Sequence, residues 1–128
     1  MTEARLSKLE IQIMETLWTK SDASIREMQD AFPAKKRPGY TTVQTMVYRM
    51  EAKKVVRRVR KVGNFHIFQP LVSRDVAQLR LIDELLAMFG GRSQLVVMHL
   101  VKSGKLGLED VKEAERELKR LERKDRIQ

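Results

Sequence analysis

The sequence predicts a mainly α-helical protein with one small β-hairpin, arranged as a head over residues 1–72 and a helical tail over 73–128. Three observations predict it. Apolar residues recur at helical spacing along most of the chain; the pattern turns strand-like only between residues 55 and 69; and Pro70 separates that stretch from a second helical run reaching the end.

Each element has its own signal. Ser7-Lys8-Leu9-Glu10 is a capping box opening a first helix, whose stripe is Leu6, Leu9, Ile13 and Leu17, widened by Ile11, Met14 and Trp18. It is expected to end near Trp18–Lys20. A second box, Ser24-Ile25-Arg26-Glu27, starts a short helix carrying Ile25, Met28 and Ala31-Phe32, stopped by Pro33. After the basic turn Lys35-Lys36-Arg37-Pro38-Gly39, Thr41-x-x-Gln44 fits a third box. The helix it opens has an inner face of Val43, Val47 and Met50, flanked by Met46. Val55 to Val62 and Phe65 to Gln69 then flank Gly63-Asn64, a two-residue hairpin turn. Both strand faces carry apolar residues, so the pattern leaves the buried face open. Beyond Pro70, Ser73 can cap a helix with the stripe Val76, Leu79, Ile82, Leu86 and Phe89, broken at Gly90-Gly91. Leu95 to Val101 form a nearly all-apolar helix, broken near Ser103-Gly104, and Leu108, Val111, Ala114, Leu118 and Leu121 mark a last one.

Composition narrows the function classes. The absence of cysteine excludes disulfides, thiolate metal sites and cysteine nucleophiles. The start Met1–Arg5 has no apolar core, so no signal peptide is expected; apolar runs are too short to span a bilayer, and a cytoplasmic location follows as the expectation. The net charge of +9 is concentrated. Residues 33–70 hold Lys35, Lys36, Arg37, Arg49, Lys53, Lys54, Arg57, Arg58, Arg60 and Lys61 against Glu51 alone, while the segments on either side nearly balance. A block of this kind suits a polyanion, because each phosphate it neutralises releases counterions.

Three helices followed by a basic hairpin is the order of a winged helix-turn-helix, in which the third helix enters the major groove. Its outer face offers Thr42, Thr45 and Arg49, with Gln44, Tyr48 and Lys53 beside it; Thr41 can contact DNA, cap the helix, or do both. Threonine methyls suit thymine methyls, and Gln44 can pair with adenine. Arg49, Lys53 and Lys54 suit phosphates, as does the Tyr48 hydroxyl, and Arg58, Arg60, Lys61 and Asn64 of the hairpin can grip the neighbouring backbone or minor groove. The tail stripes are too broad for some 55 residues to bury alone. Leu79, Ile82, Leu86, Phe89, Val97, Leu100, Leu108, Val111, Leu118 and Leu121 are therefore expected to form a homodimer interface. No enzyme, cofactor or metal is indicated: His66 and His99 lack a nearby nucleophile or ligand cluster, and no glycine-rich phosphate loop is present. The alternatives are a nonspecific architectural nucleic-acid-binding protein and a helical protein–protein adaptor.

Several motifs together resemble the penicillinase-repressor family of the BlaI/MecI type. They are Leu6-Ser7-x-x-Glu10 with Ile13-Met14 through Trp18; Thr42-Val43-Gln44-Thr45-Met46 with Arg49-Met50; Phe68-x-Pro70-Leu71-Val72; and the helical tail 76–121. The resemblance implies a winged-helix homodimer that sits on palindromic operators and represses transcription, often of β-lactam resistance genes. It matches the family's recognition helix to Thr41–Arg49 and favours Thr42 and Thr45 for base contact, then Gln44 and Arg49. Two positions depart from family variants. Some members are cleaved at an Asn-Phe pair under a membrane sensor-protease, where this chain has His99-Leu100, and copper-responsive members carry a cysteine motif that is absent here.

Overall fold

The computed structural model describes residues 6–127; the start Met1–Arg5, on which the signal-peptide reading rests, lies outside them. Contacts divide the chain into two compact units, one reaching Leu81 and one beginning at Ile82.

The first unit begins with α1 (Lys8–Lys20) and α2 (Ile25–Asp30). The first two of the three predicted capping boxes are present. Ser7 Oγ accepts from the Glu10 amide at 3.2 Å, and the Glu10 carboxylate accepts from the Ser7 amide at 2.8 Å. Ser24 and Glu27 repeat the exchange at 3.2 and 2.9 Å. Each box satisfies two amides that the first helical turn leaves without partners. Leu9, expected in the α1 stripe, is exposed, and Glu10 is buried instead. α2 stops at Asp30, short of the expected Ala31-Phe32, yet the Phe32 side chain is still buried.

The third predicted box does not form. α3 spans Tyr40–Ala52, its N-cap is Gly39, and no side chain caps it. Thr41 therefore lies inside the first turn rather than at the cap. The half-buried Tyr40 ring packs against the core, and the cap lies two residues earlier than expected, at Gly39 and not Thr41.

A strand absent from the sequence reading, β1 (Ala23–Ser24), joins the hairpin of β2 (Val56–Val62) and β3 (Phe65–Pro70) in the order β1-β3-β2. Two residues are too few to carry a periodic signal. Ser21, at φ 76°, turns the chain out of α1 towards it. Gly63, at φ 60°, occupies the left-handed first position of the hairpin turn. The pairing slips between Arg58 and Arg60, a bulge at Val59 that bends the hairpin. Burial answers the open question of faces: Val56 and Phe68 enter the core, Ile67 is buried on the other face of the sheet, and Val62 and Phe65, paired across the tip, are exposed.

The core joins Ile13, Met14 and Leu17 of α1, Met28 of α2, Val43, Val47 and Met50 of α3, and Val56 and Phe68 of the sheet. This element order and three-stranded sheet are those of a winged helix. The chain leaving β3 is tied back to α1, where Trp18 Nε1 donates to the Val72 carbonyl at 2.8 Å. α4 (Arg74–Met88) follows, its start capped by Ser73 Oγ, which accepts from the Val76 amide at 3.1 Å. Arg74 bonds Glu15 at 3.0 Å, and Ala77 is buried, so the first turns of α4 belong to this unit.

The second unit contains the end of α4, α5 (Ser93–Lys102) and α6 (Leu108–Ile127). Gly90 and Gly91, at φ 66° and 78°, break the helical run where the sequence places the break. Among the described residues from Ile82 onward, no side chain is buried.

Candidate nucleic-acid interface

α3 has four surfaces with different tasks. Val43, Val47 and Met50 face the core. At 100° per residue, Thr41, Thr45 and Arg49 fall on the opposite side with Thr42 at its edge, and all four are exposed. Two flanks lie between these surfaces, and each is fastened to a neighbouring element.

On one flank, Gln44, Tyr48 and Glu51 face the hairpin. Gln44 Nε2 donates to Tyr48 Oη at 3.2 Å. Glu51 receives a forked pair of bonds from Arg58 of β2, at 2.8 and 3.2 Å. The same guanidinium lies 5.2 Å from the Tyr48 ring centre and 5.5 Å from that of Phe68. Hydrogen bonding to the Glu51 carboxylate, chiefly, pushes the Arg58 pKa above the ordinary arginine value. On the other flank, Lys53 donates to both Glu10 oxygens at 3.1 Å, fixing the end of α3 to the start of α1.

Gln44 and Tyr48 are thus bonded to each other, and the other predicted contact residues separate into two groups. Thr41, Thr42, Thr45, Arg49, Lys61 and Asn64 are exposed, on the outer face of α3 or near the tip of the hairpin. Lys53, Arg58 and Arg60 are ion-paired within the chain, Arg60 with Asp22 at 2.8 Å. Among the described residues, three of the ten cations in the basic block therefore already have carboxylate partners. Sequence reasoning missed two of these pairs because Glu10 and Asp22 lie in the separate, net-acidic segment 1–32, and the third because Glu51 of α3 meets Arg58 of β2 only once the hairpin packs on the helix. Arg37, in the basic turn, donates to the Asp30 and Phe32 carbonyls and closes the loop before α3.

In the second unit, the predicted interface residues are accessible in the single chain. Leu79, at the end of the first unit, and Ile82, Phe89, Val97, Leu108, Val111, Leu118 and Leu121 are exposed, and Leu86 and Leu100 are half-buried. Among the described residues, no His, Asp and Glu side chains converge as a metal site, and no helix is long and apolar enough to cross a membrane.

The model of the penicillinase repressor family matches residues 6–120, nearly the whole chain. The chain belongs to the penicillinase repressor family. This repressor is 29% identical over 121 residues to the transcriptional regulator BlaI of two Mycobacterium tuberculosis strains, covering 92% of the chain and 86% of the relative. It is also similar to the penicillinase repressor of Staphylococcus aureus, at 20% identity over 112 residues, 87% of the chain and 88% of that protein. A solved structure of the CopR repressor aligns with 55% of this chain and all of its own, at 23% identity and a TM-score of 0.45. The family comprises transcriptional repressors, so this member is a transcription regulator and not an enzyme.

Proposed function

We propose that this repressor binds palindromic operators as a homodimer in the cytoplasm and blocks transcription by occupying promoter DNA. The head over residues 1–72 binds the duplex, and the tail over 73–128 pairs the two copies. The observation that carries the reading is the outer face of α3. A helix fastened along both flanks leaves Thr42, Thr45 and Arg49 directed outward, beside a hairpin tip bearing Lys61 and Asn64. Small polar residues near the start of such a helix reach base edges, while the basic hairpin holds the adjoining backbone.

The tail supports the dimer. Its apolar stripes lie open in the single chain, and each large side chain buried by a second copy contributes roughly 1–2 kcal/mol to association. Two heads joined in this way present two recognition helices, which is what a palindrome requires. Induction through a membrane sensor-protease acting at His99-Leu100 would require α5 to unwind there, because that bond lies inside the helix.

The test is selection of bound fragments from the source genome, followed by gel shifts on the recovered duplex and on a scrambled one of equal composition. Recovery of palindromic promoter fragments, bound far more tightly than the scrambled duplex, is the expected result. Equal binding of both duplexes would favour a nonspecific architectural protein, and binding of neither would favour an adaptor.

A further inference from the structure

We infer that Arg58 is a positioning residue that locks the wing to the recognition helix, and not one of the cations that holds phosphate. The inference rests on the DNA-binding reading above. Arg58 lies on β2 opposite Phe68, one residue before the bulge at Val59. From there it spans to α3, where both arms of its fork meet Glu51 at 2.8 and 3.2 Å and its plane covers Tyr48. Tyr48 in turn holds the Gln44 amide at 3.2 Å. One guanidinium thus connects the wing with three successive positions, 44, 48 and 51, along one flank of the helix that carries Thr42 and Thr45. A phosphate contact would have to compete with Glu51 for the same donors.

The connection depends on the shape of the group as well as its charge. Guanidinium is a flat fork that bonds a carboxylate through two parallel N–H groups while stacking on aromatic rings. A lysine ammonium keeps the charge and loses both properties. A phosphate contact tolerates Arg58→Lys, whereas a positioning role does not.

The test compares wild type with Arg58→Lys, Glu51→Ala and Lys61→Ala on the selected and scrambled duplexes across a salt series. Cooperative thermal unfolding checks that each variant folds. Arg58→Lys is expected to weaken the selected duplex about tenfold with an unchanged salt slope, since no ion contact is lost. Lys61→Ala is expected to reduce the slope by about 0.9, the value of one phosphate contact. Glu51→Ala also weakens the selected duplex, although it removes a negative charge from the basic block. In the unbound protein, amide exchange across β2 is expected to quicken in Arg58→Lys and Glu51→Ala.

Full binding by Arg58→Lys, or tighter binding by Glu51→Ala, would overturn the assignment and make Arg58 a charge contact. Unchanged amide exchange in both variants would overturn it without reference to DNA. If wild type ignores both duplexes, the DNA-binding reading itself fails, and the inference fails with it.

Discussion

Glu10 and Lys53 lie 43 positions apart, yet Lys53 Nζ donates to both Glu10 oxygens at 3.1 Å. Glu10 also accepts from the Ser7 amide at 2.8 Å. One buried carboxylate thus closes the first turn of α1 and holds the last turn of α3. Removing the cation from such a carboxylate leaves a charge with reduced solvation. Because Lys53 is partly exposed, water replaces some of what is lost. Lys53→Met is expected to lower unfolding stability by about 1–2 kcal/mol, read from urea denaturation. An unchanged midpoint would mean that the pair contributes nothing to holding α3.

The second capping box predicts a response to acid. The Ser24 backbone N–H, above all, holds the Glu27 carboxyl below its ordinary pKa, assisted by the Ser24 hydroxyl and Lys20. A carboxyl whose pKa is lowered on folding stabilises the folded state above its unfolded value, and that stability is lost as pH falls through the folded value. Wild type is therefore expected to be more stable than Glu27→Gln at neutral pH, with the difference shrinking in acid. Thermal denaturation across a pH series measures it. A difference that grows as pH falls would contradict the assignment.

On the outer face of α3, Thr45→Ala removes a side chain directed at the expected base edges. It is expected to cost about 1–3 kcal/mol on the selected duplex and little on a scrambled one. Lys61→Ala is expected to weaken both by a similar factor. Gel shifts on the two duplexes decide the matter, and equal losses for Thr45→Ala would remove it from base readout.

The tail makes a prediction about mass. Leu86 is half-buried near the end of α4, among exposed apolar neighbours. A carboxylate buried there in a dimer would be without a partner, at a cost of several kcal/mol. Leu86→Asp is expected to sediment as a monomer where wild type sediments as a dimer. A dimer that survives the substitution would place the interface elsewhere.

The sequence alone determined the elements whose signals are local. The two capping boxes at Ser7 and Ser24, the inner face Val43-Val47-Met50, the hairpin turn at Gly63 and the helix break at Gly90-Gly91 follow from short-range spacing, and each was legible. The cap of α3 lies two residues before the expected Thr41, because Tyr40 is drawn inward by packing that no local pattern records. β1 was invisible because two residues carry no period; it exists only where β3 supplies the missing hydrogen bonds. The tertiary structure also decided how the basic block is used. Charge counting treats its ten cations alike. Only the approach of Glu10 and Asp22 from the head of the chain, and of Glu51 across from β2, distinguishes the cations occupied within the protein from those such as Arg49 and Lys61 that face outward. An ion pair depends on separation in space, and the fold sets that separation.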